Sequence, residues 1–142
     1  MFTAPSGTGK STHVKLWLDH IPGSYIVNGD KPLIRVDRGI SYACGTPWRG
    51  KENMGENVIK PLKAIVLLKR GEENFIRPIS PGDALVPVLQ QLQRPGNEEA
   101  AAAVYGLLPE LMESVHFFEL TCNMSPEAAS TSYAALSRVS DL

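Results

Sequence analysis

The stretch APSGTGKS at residues 4–11 restricts the fold of this chain more than any other part of the sequence. Its two glycines, Gly7 and Gly9, permit backbone conformations that other residues avoid, and apolar residues at helical spacing follow directly. Residues 1–3 predict the end of a strand before the stretch, and residues 11–19 predict a short helix after it. The sequence therefore begins as a strand, a tight loop and a helix.

A loop of this composition is typical of phosphate binding. Consecutive backbone N–H groups can converge on one anion, and the N-terminus of the following helix adds partial positive charge. The stretch follows the pattern GxxxxGK[ST] except at its first position, where Ala4 replaces glycine. Lys10 is placed to reach the β- and γ-phosphates of a nucleotide, and the Ser11 hydroxyl to ligate Mg²⁺. The predicted nucleotide-binding residues are Ser6, Gly7, Thr8, Gly9, Lys10, Ser11 and Thr12. The alternative is an ordinary Gly- and Ser-rich turn with Lys10 in solvent.

Length and charge narrow the remaining possibilities. The 142 residues, of which 43% are hydrophobic, predict a single domain spanning residues 1–142. Fourteen Lys and Arg residues against fifteen Asp and Glu residues give a net charge of −1. That balance predicts neither nucleic acid nor an anionic membrane as a partner. Cys44 and Cys122 fit no zinc or disulfide spacing, and the sequence shows neither a signal segment nor a membrane span, so we expect a reducing cytoplasm.

Helical and strand patterns alternate along the chain. Strands are predicted at residues 25–27, 33–36, 40–44, 62–68, 74–79 and 116–122, with the second and third forming a hairpin around residues 37–39. A helix begins at Ser80 and meets Pro87, a long helix covers residues 97–115 despite Gly106 and Pro109, and a last one covers residues 125–136. Residues 45–60 predict a long loop. The fold class is therefore α/β, with a mixed sheet and flanking helices.

Four segments together resemble one kinase family. SGTGKST is similar to the loop of phosphoenolpyruvate carboxykinases, and the order of APSGTGKSTH, IVNGDKPLI, YACGTPWRGK and PLKAIVLL resembles the HPr serine kinase/phosphatase relatives in that P-loop superfamily. The resemblance spans residues 3–70. It implies an ATP-dependent kinase acting on a serine hydroxyl, on a sheet flanked by helices. The parent fold has strands upstream of the loop, so the resemblance also implies a chain that is truncated at its N-terminus.

Asp30 is the predicted carboxylate of the site. Phosphoryl transfer needs a group that orients the metal or takes the hydroxyl proton, and Asp30 follows the predicted strand at residues 25–27. The resembling kinases have two adjacent aspartates here, whereas this chain has Gly29 before Asp30. Three interpretations stay open: Asp30 serves as both metal ligand and base, or His13, Asp37 or Glu52 fills the vacancy, or catalysis is impaired. Asp30 could also simply close an Asn-Gly-Asp turn.

The loop GTPWRGKEN carries the remaining candidates. Arg49 is predicted to stabilise the transferring phosphoryl group, with Lys51 and Trp48 beside it, because cations on mobile loops neutralise phosphate charge. The alternative is a solvated basic loop with Trp48 as its hydrophobic anchor. Trp17, Phe117 and Phe118 are predicted to belong to the core.

These expectations amount to an enzyme that uses ATP and Mg²⁺ to phosphorylate a serine-bearing protein, peptide or small molecule. The metal ligands would be Ser11 and Asp30, and the catalytic residues Asp30, Lys10 and Arg49. A nucleotide-binding regulatory module without turnover is the alternative, motivated by Gly29. A carboxykinase is less favoured, since it needs several basic residues and a much longer chain. An exposed sheet edge would permit a homo-oligomer.

Overall fold

Seven strands and five helices make up the part of the chain that the computed structural model describes, residues 1–93 and 95–139. In chain order they are β1 (Phe2–Thr3), α1 (Lys10–His20), β2 (Leu33–Asp37), β3 (Ile40–Cys44), β4 (Ile59–Pro61), β5 (Ala64–Arg70), β6 (Phe75–Pro78), α2 (Pro81–Gln91), α3 (Glu98–Gly106), α4 (Leu108–Ser114), β7 (His116–Cys122) and α5 (Pro126–Leu136).

A four-stranded mixed sheet forms the centre of the fold. Its strand order is β1-β5-β7-β6, in which β1, β5 and β7 run parallel and β6 runs antiparallel to β7. The first five residues of β5 are all buried, which explains why its sequence is a continuous apolar run rather than an alternating one. The predicted α/β class with a mixed sheet and flanking helices is confirmed.

The two faces of this sheet carry different helices. Ile65, Leu67 and Phe117 point towards α2 and α4, whereas Val66 and Leu120 point towards α1 and α5. This division follows from the alternation of side chains along each strand. Phe117 thus lies in the core as predicted, while Phe118 and Trp17 are only partly buried at its border.

A second, antiparallel sheet has the order β2-β3-β4. Its predicted hairpin is confirmed: Asp37 pairs with Ile40 around Arg38 and Gly39, whose φ angles are +53° and +77°. Positive φ at both central residues is the conformation that suits the twist of the flanking strands. The apolar side chains Ile34, Val36 and Ala43 pack this sheet against the core on the α2 side.

Two predicted elements were wrong, and the loop predicted at residues 45–60 ends in the short strand β4. Residues 25–27 form no strand, because Tyr25 is 47% exposed and the segment pairs with the loop at residues 54–56 through only an isolated bridge between Asn28 and Gly55. The predicted helix at residues 97–115 is two helices, α3 and α4, that meet at Leu107. Pro109 lacks an N–H and its ring opposes a continuous helix, while it suits the first turn of a new one.

The remaining helices begin as predicted. The Ser80 hydroxyl accepts a hydrogen bond from the Asp83 N–H at 3.1 Å and caps α2, and α2 continues past Pro87 to Gln91. Within residues 1–93 and 95–139, no helix is both long enough and apolar enough to cross a membrane.

A buried polar cluster joins α1 to α5. The Ser132 hydroxyl donates to the backbone carbonyls of Ala128 and Ala129 and accepts from Trp17 Nε1 at 2.8 Å. His13 Nε2 lies 3.1 Å from the same hydroxyl oxygen, and His13 Nδ1 lies 3.9 Å from the Cys122 thiol. His13 is 2% exposed, and burial lowers its pKa to about 4.

The His13 cluster predicts acid sensitivity. The folded-state pKa of His13, about 4, lies below its unfolded value, so the unfolded chain binds the proton more tightly. The stability is therefore complete above about pH 6.5 and is lost as the pH falls towards 4. Between pH 7 and pH 5 we expect His13 to reduce the free energy of unfolding by about 2 kcal/mol. Urea unfolding should show this as a steeper pH dependence in the wild-type protein than in His13→Gln.

His20→Gln is the matched control, since His20 is exposed at the end of the same helix. It should keep the wild-type slope. An equal slope in His13→Gln and the wild type would show that His13 is not buried in its neutral form.

Candidate functional site

The loop between β1 and α1 adopts a conformation that requires its glycines. Gly7 has a φ of +80° and Gly9 a φ of +115°, and Gly9 is the N-cap of α1 in the left-handed region. Ala4 has no positive φ, so alanine at the first position of the pattern causes no backbone strain. No side chain caps α1. The helix N-terminus therefore remains available to a ligand.

Most amides of this loop have no partner. The Thr8 N–H donates to the Pro5 carbonyl at 3.2 Å, and the His13 N–H donates to the Gly9 carbonyl at 3.0 Å. Within the described ranges, six further N–H groups between these points make no hydrogen bond: those of Ser6, Gly7, Gly9, Lys10, Ser11 and Thr12. Unpaired amides at a helix N-terminus form an anion-binding concavity.

The side chains of the loop are also available. Ser11 and Thr12 are exposed and Lys10 is half-buried. In the part of the chain that the structure describes, none of the three makes a side-chain hydrogen bond or ion pair. The structure thus brings the seven predicted nucleotide-binding residues together in one loop and the first turn of α1.

Arg70 fixes this loop from the neighbouring strand. It is the last residue of β5, and its guanidinium donates to the carbonyl of Thr8 through Nε at 2.9 Å and to that of Gly7 through Nη2 at 2.5 Å. The sequence analysis missed this residue. The available signal was its place at the end of the most apolar strand, where parallel strands deliver side chains to a shared edge.

A cleft of about 790 Å³ borders the loop on the α2 side of the sheet. Its volume is within the range of small-molecule sites. On this face, Leu67 of β5 is followed by Lys69 towards the end of the strand, and Phe117 of β7 is followed by Glu119 in the middle of the strand. Glu119 is paired with Lys69 at 2.5 Å and with Arg77 at 2.8 Å. The Lys69 hydrogen bond, supported by Arg77 against the opposing effect of burial, lowers the pKa of Glu119.

Asp30 lies in a second hydrogen-bonded unit, formed by residues 27–31 and the loop at residues 45–56. The Thr46 hydroxyl accepts from Asn28 Nδ2 at 2.9 Å and donates to the Lys31 carbonyl at 2.8 Å. The Asn28 side-chain oxygen accepts the Asp30 N–H at 2.9 Å, which is the turn that the sequence offered as an alternative role. The Asp30 carboxylate is exposed, and it makes no hydrogen bond or ion pair to any described residue.

The same unit contains Arg49. A β-carbon at Gly50 would lie 2.9 Å from that of Asp30, so the loop packs directly on Asp30. Arg49 is half-buried, and its guanidinium makes no hydrogen bond or ion pair within residues 1–93 and 95–139. Trp48 is 67% exposed, which contradicts its role as a hydrophobic anchor. The loop is instead anchored by hydrogen bonds.

Gly29 has little room for a side chain. A β-carbon there would lie 3.1 Å from the carbonyl oxygens of both Arg49 and Met54, and the Gly29 N–H donates to the Met54 carbonyl at 2.9 Å. A second aspartate at this position would require the loop at residues 45–56 to shift. The packing of the loop at residues 45–56 therefore favours glycine over aspartate at position 29.

The other candidates for the vacant acidic position differ in their surroundings. His13 is in the core and faces Ser132, so it cannot act on a ligand at the surface. Asp37 lies in the hairpin beside Arg35 at 3.7 Å and Arg38 at 3.9 Å. Glu52 is exposed in the turn at residues 50–53. In the described ranges, no three or more His, Cys, Asp or Glu side chains gather into a group that could hold a metal ion.

Comparison with protein families, with curated proteins and with solved structures finds no match to this chain.

Gly29 provides a test of the loop packing. We expect Gly29→Ala to lower the free energy of unfolding by about 1–2 kcal/mol, because a methyl group would press on two carbonyl oxygens. Gly106→Ala is the control: nothing lies within 4 Å of a β-carbon at Gly106, which ends α3. That change should be neutral or stabilising by up to about 1 kcal/mol. Equal stabilities of the two variants in urea unfolding would contradict the packing described for Gly29.

Proposed function

We propose that this protein binds ATP with Mg²⁺ and transfers the γ-phosphoryl group to a serine hydroxyl of a protein, peptide or small molecule. One observation supports the proposal above all others: six unpaired backbone amides surround the N-terminus of α1, and Lys10 stands in its first turn. A triphosphate is a common ligand that carries several negative charges along its length, so it can contact the amides and the lysine at the same time.

Each predicted residue has a role in this proposal. Lys10 would neutralise charge on the β- and γ-phosphates. Ser11 and Asp30 would hold Mg²⁺, which shields the phosphate oxygens. Their exposed, unpaired oxygens suit a hard cation that keeps several waters. Arg49, unpaired beside Asp30, would stabilise the transferring group.

The transfer itself requires a base. The acceptor oxygen forms a bond to the γ-phosphorus as the bond from that phosphorus to the leaving ADP oxygen breaks, and the hydroxyl proton passes to the Asp30 carboxylate. This proposal makes Asp30 serve as both metal ligand and base, since Gly29 leaves no second carboxylate next to it. The cleft beside the loop gives room for substrate groups beyond the phosphates.

A nucleotide-binding module without turnover is the second candidate. One feature favours it: within residues 1–93 and 95–139, Asp30 forms no hydrogen bond or ion pair with Lys10 or Ser11. Binding would then rely on the loop alone and chemistry would be lacking.

Lys10 tests the phosphate site. We expect Lys10→Ala to weaken the binding of Mg²⁺-ATP on the order of 100-fold, because it removes the only side-chain cation of the loop. Isothermal titration calorimetry measures the change. Lys15→Ala removes the same charge from an exposed position on the same helix and should bind within about twofold of the wild type. Equal affinities in the two variants would remove the loop from the proposal.

Asp30 separates the two candidate functions. We expect Asp30→Asn to lower γ-phosphoryl transfer from radiolabelled ATP to serine peptides at least about 100-fold, with a loss of ATP affinity of less than about tenfold. Asp37→Asn, in the hairpin, should transfer at the wild-type rate. A wild-type protein that binds ATP but phosphorylates no hydroxyl compound in a broad acceptor panel would favour the binding module. Full transfer by Asp30→Asn would exclude Asp30 from the mechanism.

A further inference from the structure

The guanidinium of Arg70 binds the backbone of the loop between β1 and α1 rather than a carboxylate. Its Nε and Nη2 donate to two successive carbonyls, those of Thr8 and Gly7. Glu119, a carboxylate that lines the same cleft, is paired with Lys69 and Arg77. No described carboxylate forms an ion pair with Arg70. Two parallel donors in a rigid fork fix direction as well as distance.

This contact determines where the amides of the loop point. A trans peptide places its carbonyl and its N–H on opposite sides, and the structure contains no cis peptide among the described residues. Because Arg70 draws the Thr8 carbonyl to itself, the Gly9 N–H of the same peptide faces away from Arg70. The Gly7 carbonyl directs the Thr8 N–H likewise, and that N–H donates to Pro5 and closes the turn.

The loop has few other restraints. Glycine has more backbone freedom than any other residue, so Gly7 and Gly9 do little to hold the loop in one conformation. Apart from the two bonds from Arg70, the hydrogen bonds that restrain residues 6–9 within the described chain are those from the Thr8 N–H to the Pro5 carbonyl and from the His13 N–H to the Gly9 carbonyl. Without Arg70, we expect the peptides on either side of Thr8 to sample several orientations. An anion would then have to order them on binding, and this ordering reduces affinity.

We propose that Arg70 is a positioning residue that presents the amides of the loop to a polyphosphate. The proposal deepens the proposed function and rests on it. In this proposal Arg70 orients the backbone amides of the loop and does not only add a positive charge near them. A lysine at position 70 would therefore not replace the arginine.

Binding experiments distinguish the fork from the charge. We would titrate the wild type, Arg70→Met, Arg70→Lys and Arg35→Met with inorganic tripolyphosphate and with Mg²⁺-ATP. Arg70→Met should lower the affinity for both ligands on the order of 10- to 100-fold. Arg70→Lys should still bind them at least about fivefold more weakly than the wild type. Arg35→Met removes one guanidinium from β2, outside this cleft, and should bind within about twofold of the wild type. Wild-type affinity in Arg70→Met or in Arg70→Lys would overturn the proposal.

A second readout works without any ligand. The ¹⁵N heteronuclear NOE values of Gly7, Thr8 and Gly9 should fall in Arg70→Met and stay at the wild-type level in Arg35→Met. Away from the substituted residue and the loop, both variants should keep the wild-type spectrum. Unchanged NOE values in Arg70→Met would overturn the positioning role. If the wild type binds neither tripolyphosphate nor ATP while the NOE values fall as expected, the proposed function fails and the restraint by Arg70 stands.

Discussion

The parallel pairing of β5 with β7 is the constraint on which the rest of this structure depends. Seven successive residues of each strand are in register, from Ala64 opposite His116 to Arg70 opposite Cys122. The strand β1 adds in the same direction at the other side of β5. Parallel strands end at one edge of a sheet, so the pairing brings the start of the loop between β1 and α1 and the side chain of Arg70 to the same place.

Burial on both faces makes this arrangement firm. The helices α1 and α5 cover one face and α2 and α4 the other, so β5 cannot slip by one residue without exchanging its two sets of side chains. The hydrogen bonds that join Ser132 to His13 and Trp17 fix how α1 is oriented against α5. Because α1 begins at Lys10, fixing this helix also fixes the end of the loop. The loop is thus restrained at β1, at Arg70 and at α1.

The sequence predicted the elements whose signals are local. The apolar run of β5, the hairpin around Arg38 and Gly39 and the cap at Ser80 each depend on neighbouring residues, and each was found. The break at Leu107 was missed because helical spacing was weighed above Pro109. Residues 25–27 resembled a strand by composition, but their partner is an irregular loop, which no local pattern could indicate. The contact of Arg70 with Gly7 and Thr8 joins residues more than sixty positions apart, and only the sheet topology reveals it.

The two halves of the candidate site differ in how far they are organised. On the loop side, Gly7 and Gly9 have positive φ angles and Arg70 donates to the carbonyls of Gly7 and Thr8, so under the proposed function a polyphosphate would bind with little rearrangement of this backbone. Around Asp30, the backbone is fixed by Thr46, Asn28 and the Met54 carbonyl, whereas the carboxylate itself has no partner. A metal or substrate must supply the contacts that orient this carboxylate. Under the proposed function, the loop would supply most of the affinity, and catalysis would depend on the contacts that the ligand makes with Asp30.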